Sequence, residues 1–116
     1  MKYLEKDERP WGRYFVLQDE FNYKVKRIEV KPGQRLSYQY HNKRSETWII
    51  IEGSALVTIN DKSKAYTAGK TVVIPLKAKH RVENKSNSLL VFIEVQTGEY
   101  FGEDDIIRIN DDYGRN

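Results

Sequence analysis

The sequence predicts an all-β chain, folded as an antiparallel sandwich or a jelly-roll barrel. Three observations predict it. Apolar and polar residues alternate with a period of two through the central chain, the pattern of strands with one buried face. The alternating runs are short and are punctuated by Gly, Pro and Asn turns, as in sandwiches and in barrels that enclose a ligand cavity. No stretch combines a helical apolar period with helix caps.

The elements follow in order. Lys24 to Lys31 alternates as Lys-Val-Lys-Arg-Ile-Glu-Val-Lys and stops at Pro32-Gly33, a turn signal. Leu36 to His41 is a second strand, and Thr47 to Glu52 a third, closed by Gly53. Ala55 to Ile59 ends at Asn60-Asp61, a hairpin turn. Thr71 to Ile74 precedes Pro75, and His80 to Glu83 and Leu89 to Gln96 complete the set. The expectation is one domain over residues 1–116, with a barrel core at about 22–97 and terminal segments packing on it or on a partner subunit.

Composition narrows the chemistry. Of 116 residues, 39% are hydrophobic and 32% charged, with eight Tyr, four Phe and two Trp, which excludes a disordered chain. There is no cysteine, so disulfides, thiolate metal sites and cysteine nucleophiles are excluded. Any metal must be held by nitrogen and oxygen. No apolar run approaches the roughly 20 residues of a membrane span, and the charged N-terminus, Met1 to Arg13, lacks the apolar stretch of a signal peptide. A cytoplasmic protein without membrane partners is expected. The net charge of +3 is uneven, with −5 over Glu99 to Asp112 and +8 elsewhere. No recognition helix or Lys/Arg block points to nucleic acid. A phosphorylated small molecule suits the basic excess better.

The chain has only two histidines, and both stand in patterned contexts. One reads Gly33, five residues, Gln39-Tyr40-His41, four residues, Glu46, six residues, Gly53. The other reads Gly69, five residues, Pro75, then His80, three residues and Asn84. Side chains two apart on a strand share a face, so Gln39 and His41 point together. Glu46 begins the partner strand after a short turn and folds back beside them, while His80 closes the site from across the barrel. One carboxylate, two imidazoles and one amide carbonyl suit a single divalent Zn, Mn, Co, Fe or Ni ion with positions open for substrate. Taken singly, each histidine is more simply a polar surface residue; the joint pattern favours a metal site.

Strand parity nominates further residues. Lys24 and Lys26 share the inward face of Ile28 and Val30, and with Arg35 they are candidate anchors for an anion or, equally, a solvated edge. Arg44 shares the parity of Glu46 and points at the metal, or pairs structurally with an acid. Glu94 and Gln96 share one face of the last strand. Glu94 is a candidate acid/base, although a salt-bridge partner is the commoner role for such a residue. Trp11 and Trp48 read as core. Glu103-Asp104-Asp105, without a nearby histidine, reads as a surface or interface segment.

The two patterned stretches resemble the two cupin motifs, departing at Gln39, where the general pattern has His, and at Lys77, where it has Gly. Gln at the first ligand position is the choice of phosphomannose isomerases. Arg9-Pro10-Trp11-Gly12, Lys26-Arg27-Ile28, Lys31-Pro32-Gly33, Arg44-Ser45-Glu46 with Trp48, Ile93 to Gly98, Gly102 to Ile106 and Asp112-Tyr113-Gly114-Arg115 extend the likeness over residues 8–115. Together they resemble the C-terminal domain of type II mannose-6-phosphate isomerases, which usually follows a mannose-1-phosphate guanylyltransferase domain. The resemblance implies a cupin-type double-stranded β-helix with one divalent metal on Gln39, His41, Glu46 and His80. It also implies metal-dependent interconversion of mannose 6-phosphate and fructose 6-phosphate, feeding GDP-mannose and polysaccharide synthesis. Arg44, Lys26 and Glu94 are then the expected catalytic residues, and Lys24, Arg35 and Gln96 the expected substrate-binding ones. At 116 residues a nucleotide-binding fold does not fit, so guanylyl transfer is not expected. Likeness to small cupins favours a homodimer. The competing readings are a non-catalytic sugar-binding or regulatory cupin and, less suited to basic inward residues, a metal-dependent dioxygenase.

Overall fold

A computed structural model describes residues 1–115. Among these residues, eleven strands form two antiparallel sheets. They are β1 (Glu5–Arg9), β2 (Gly12–Asp19), β3 (Tyr23–Val30), β4 (Tyr38–Tyr40), β5 (Arg44–Glu52), β6 (Ser54–Ile59), β7 (Lys62–Thr67), β8 (Thr71–Ile74), β9 (His80–Glu83), β10 (Leu90–Gly98) and β11 (Ile107–Asn110). One sheet has the order β1-β2-β3-β10-β5-β8, the other β11-β4-β9-β6-β7.

Alternation explains the interior. On β10, Leu90, Phe92, Glu94 and Gln96 face inward and are buried; on β5 the same holds for Arg44, Glu46, Trp48 and Ile50. Register aligns these positions into rows across the sheet. Ile28, Phe92 and Ile50 form one row, Lys26, Glu94 and Trp48 the next, and Lys24, Gln96 and Glu46 the third. β3 and β10 therefore change from apolar to polar at the same level, and β5 one row later, after Trp48. The apolar end is the core, where Trp48 stacks on Phe92 with ring centroids 4.8 Å apart. The polar end becomes a cavity.

The strands that alternation alone did not announce lie mostly at sheet edges. β1 reads Glu-Lys-Asp-Glu-Arg and β7 reads Lys-Ser-Lys-Ala-Tyr-Thr, and both bury little, so neither carries an apolar face. β2 is an interior strand whose pattern is interrupted. Tyr14, Phe15 and Val16 are all buried because Tyr3 covers the outer face of Phe15 at 5.1 Å, and a bulge shifts the register between Val16 and Gln18. The sheet thus begins well before residue 22. The terminal segments pack on this chain's own sheets, β1 on β2 and β11 on β4.

Two turns show how backbone conformation selects residues. Asn60 and Asp61 both adopt left-handed φ, 47° and 69°, in a two-residue hairpin that pairs Ile59 with Lys62. Gly53 also adopts a left-handed φ of +83°, and a Cβ there would stand 2.7 Å from the Leu89 carbonyl oxygen. Lys77, where the cupin pattern has Gly, keeps φ at +65° with an exposed side chain. Two outcomes follow for chemical denaturation. Gly53→Ala lowers stability by about 1–3 kcal/mol, since strain and collision act together. Lys77→Gly leaves stability unchanged or raises it by up to about 1 kcal/mol, because relief of left-handed strain offsets the added freedom of the unfolded chain.

Candidate metal centre

Both sheets contribute to one cluster. Glu46 comes from β5 in the six-stranded sheet, while His80 opens β9 and His41 directly follows β4 in the other. One donor atom from each of the three lies within 4.8 Å of the others, and all three side chains are buried. His41 Nε2 is 3.3 Å and His80 Nε2 3.8 Å from the Glu46 carboxylate. Gln39 is the register partner of His80 on β4, and its amide nitrogen donates to Ser37 Oγ at 2.8 Å, leaving its carbonyl as the possible ligand atom.

The surroundings fix each donor in a ligating form. His41 Nδ1 lies 2.9 Å from the Asp105 carbonyl oxygen and His80 Nδ1 2.9 Å from that of Ala78. A carbonyl only accepts, so Nδ1 carries the proton in both rings and Nε2 presents a lone pair. Burial pushes the His80 imidazole below its ordinary pKa, against the attraction of Glu46, and so keeps it neutral. Trp48 Nε1 donates to one Glu46 oxygen at 3.1 Å and Arg44 Nε to the other at 3.2 Å. Burial alone would raise the Glu46 carboxyl. In the metal-free protein the neighbouring His41, Glu94 and His80 groups outweigh it and hold Glu46 well below the usual carboxylate range. Two imidazoles, a carboxylate and an amide carbonyl fit a borderline divalent ion such as Zn, Mn, Fe, Co or Ni.

A cavity opens beside this cluster. Gln39, His41, Glu46 and His80 line it, as do Arg44, Lys26, Glu94 and Gln96. Glu94 is buried, and its pKa is raised well above the ordinary value by burial first and then by the adjacent Glu46 charge, with Lys26 and Arg44 opposing. Gln96 is fully buried and donates to Glu94 at 3.2 Å, while its Oε1 has no hydrogen-bond partner among the described residues. Arg44 also donates to the Phe101 carbonyl at 3.4 Å, so much of its guanidinium is already engaged.

Three expectations need correction. Lys24 shares the row of Gln96, but its ammonium turns to Asp19 at 4.0 Å and does not line the cavity. Arg35 stands outside it too. It precedes β4, where strand parity does not apply, and a two-bond pairing with Asp112 at 2.7 and 2.9 Å holds it on the surface. The acidic run is not merely a surface segment. In the 3-10 turn Glu103–Asp105, Asp105 is buried and its carboxylate accepts the backbone N–H groups of Asn42 and Lys43 at 3.0 and 2.9 Å. It thereby fixes the turn between His41 and Arg44. Glu103 reaches the cavity and pairs with Lys26 at 3.7 Å and Arg9 at 3.4 Å. Trp11 and Trp48 are buried as expected and also line the cavity. Arg9, Tyr14, Arg108 and Arg115 line it without having been nominated, since Arg9, Arg108 and Arg115 come from segments without alternation and Tyr14 from the interrupted strand.

Two measurements test this centre. His41→Ala and His80→Ala each lose most bound divalent metal by elemental analysis, with the β circular-dichroism spectrum kept. In the metal-free protein Glu94 is protonated more readily when folded than when unfolded, so its contribution to stability is full at low pH and falls as pH rises through its raised pKa. Glu94→Gln removes that fall, and the wild-type and variant stability curves diverge towards alkaline pH.

Comparison with known proteins agrees with this geometry. A "Mannose-1-phosphate guanylyltransferase" of Salmonella montevideo is 48% identical over 108 residues, which is 93% of this chain and 23% of that protein. The "Alginate biosynthesis protein AlgA" of Pseudomonas aeruginosa is 47% identical over 107 residues, 92% of this chain and 22% of that protein. The chain thus spans less than a quarter of the length of these relatives. Among solved structures, the oxalate decarboxylase OxdC of Bacillus subtilis superposes with a TM-score of 0.78 at 21% identity, covering 91% of this chain and 30% of that one. The capsular polysaccharide assembling protein CapF of Staphylococcus aureus superposes at 0.76 with 18% identity, covering 91% and 34%. A double-stranded β-helix protein of Klebsiella pneumoniae gives 0.70 at 21% identity, covering 76% and 77%, so the fold is the cupin barrel that the motifs implied. The family described as mannose-6-phosphate isomerase C-terminal matches residues 1–111, and this chain belongs to it.

Proposed function

We propose that this chain is a metal-dependent aldose–ketose isomerase that interconverts mannose 6-phosphate and fructose 6-phosphate. The observation that carries the reading is Glu94, a buried carboxyl of raised pKa that faces the cavity beside the metal donors. A carboxylate with a raised pKa is a stronger base than an ordinary one, and its acid form can return the proton. Family membership and the charge of the cavity support the same reading.

The reaction is redox-neutral. A proton leaves C2 of the open-chain aldose and returns at C1, while a second proton moves from O2 to O1 through a cis-enediol. Glu94 suits the carbon transfer, since one carboxylate above the C1–C2 bond can take the proton and redeliver it. Lys26 lies across from Glu94 in register and places positive charge where the enediolate forms. Arg44 orients Glu46 and adds a fixed charge nearby. Gln96 holds Glu94 at 3.2 Å, and its unpartnered Oε1 can accept from a sugar hydroxyl. A divalent ion on the Gln39, His41, Glu46 and His80 donors would supply Lewis acidity to the sugar oxygens. Water is kept from the reacting carbons by the walls of Trp11, Trp48 and Phe92.

The test is deuterium exchange. Metal-replete protein in heavy water incorporates deuterium at C2 of recovered mannose 6-phosphate and forms fructose 6-phosphate. Glu94→Gln lowers both by roughly 100- to 10,000-fold, the usual contribution of a positioned acid/base, with metal retained. A metal-replete wild type that binds the sugar phosphate without exchange or turnover points instead to a regulatory cupin.

A further inference from the structure

Most of the cations around the cavity have their N–H groups committed. Lys26 pairs with Glu103, Arg44 with Glu46, and Arg9 with Asp7 at 2.9 Å. Arg81 donates to the Leu36 carbonyl and to Asn110, and Arg115 makes a two-bond pairing with Asp111 at 3.0 and 2.9 Å. Arg108 differs. It lies on β11 directly opposite Gln39, so it enters the cavity from the sheet that carries both histidines. Its Nε is buried without a hydrogen-bond partner among the described residues, and none of their ion pairs includes it. The charges of Arg115 and Arg9 repel its guanidinium, while those of Asp111 and Glu103 attract it.

A buried guanidinium N–H with no acceptor, crowded by two further guanidinium groups, is costly in the free protein. A tetrahedral dianion satisfies the donor and relieves the repulsion together. Arginine's planar fork matches two oxygens of such an anion, and neighbours already fixed by Asp7 and Asp111 give it a preorganised rim. We propose that Arg108, flanked by Arg115 and Arg9, binds the phosphate group of a phosphate monoester in this cavity. The identity of the sugar rests on the isomerase reading; the phosphate site does not. The assignment takes the place of Lys24 and Arg35, whose side chains point elsewhere.

The experiment is thermal denaturation of the full chain, metal-free, with inorganic phosphate against chloride at equal ionic strength. Phosphate raises the midpoint of the wild type and of Lys62→Met, a surface-charge control on β7, because a ligand that binds the native state stabilises it. It fails to raise that of Arg108→Met. If Arg108→Met does not fold, Arg108→Lys keeps the charge but loses the fork, and a diminished shift is expected. No phosphate shift in the wild type, or an undiminished shift in either Arg108 variant, overturns the proposal. With mannose 6-phosphate, Arg108→Met raises KM about ten-fold or more, as loss of a charge-assisted hydrogen bond does, and changes kcat little. Phosphate binding through Arg108 without deuterium exchange defeats the isomerase reading alone. Turnover with an unchanged KM in Arg108→Met defeats the phosphate site alone.

Discussion

Glu46 carries a negative charge with 2% of its surface exposed. Moving a carboxylate out of water costs several kcal/mol unless opposing charges and hydrogen bonds replace the lost solvation. Here Arg44 and Trp48 supply one hydrogen bond to each oxygen, and the two imidazoles approach from the facing sheet. Arg44 and Trp48 are the residues two before and two after Glu46 on β5, so strand geometry alone brings them to the same face. The histidines depend on the two sheets closing upon one another. The carboxylate therefore ties the local pattern of a strand to the tertiary structure of the barrel.

That arrangement sets the electrostatics of the whole polar end. Glu46 ionises readily because donors surround it, and its charge is then the main reason, after burial, that Glu94 resists ionisation. Two carboxyls one row apart are thus shifted in opposite directions, each by its own neighbours. A divalent ion on the donors would neutralise Glu46 and make Glu94 easier to ionise, which couples metal binding to the strength of the candidate base. The apolar rows of Ile28, Phe92 and Ile50 carry the packing that makes this concentration of charge affordable.

Much of this was legible in the sequence, for identifiable reasons. The alternation on β3, β5 and β10 located the inward positions of Lys26, Arg44, Glu46, Glu94 and Gln96, because a period of two fixes the face of every residue on a strand. The spacing of Gln39, His41, Glu46 and His80 located the donors, because turns of defined length join those strands. Parity failed where the chain is not a regular strand or where a long side chain has a better partner. Arg35 lies before β4 and is drawn to Asp112, and Lys24 bends to Asp19 from a correctly assigned face. Glu103 and Asp105 were misread because an acidic run looks solvated until its partners, Lys26 and two backbone N–H groups, are known.

The C-terminal segment shows why the barrel strands alone do not make the site. Asp105 holds the Asn42–Lys43 turn through its carboxylate and His41 through its carbonyl oxygen, so the orientation of a metal donor depends on residues sixty-odd positions downstream. Glu103 sets the charge felt by Lys26, and β11 carries Arg108 to the wall beside Gln39. These contacts join positions more than sixty residues apart, and closing so long a loop carries an entropic cost. Strands β3 to β10 alone pin the second nitrogen of His80, through Ala78, but not that of His41. The segment from Phe101 to Asn110 fixes the tautomer of His41, pairs Lys26 with Glu103 and brings Arg108 to the cavity. Two of the acidic residues in this segment thus hold it in place, Glu103 against Lys26 and Arg9 and Asp105 against the backbone of Asn42 and Lys43.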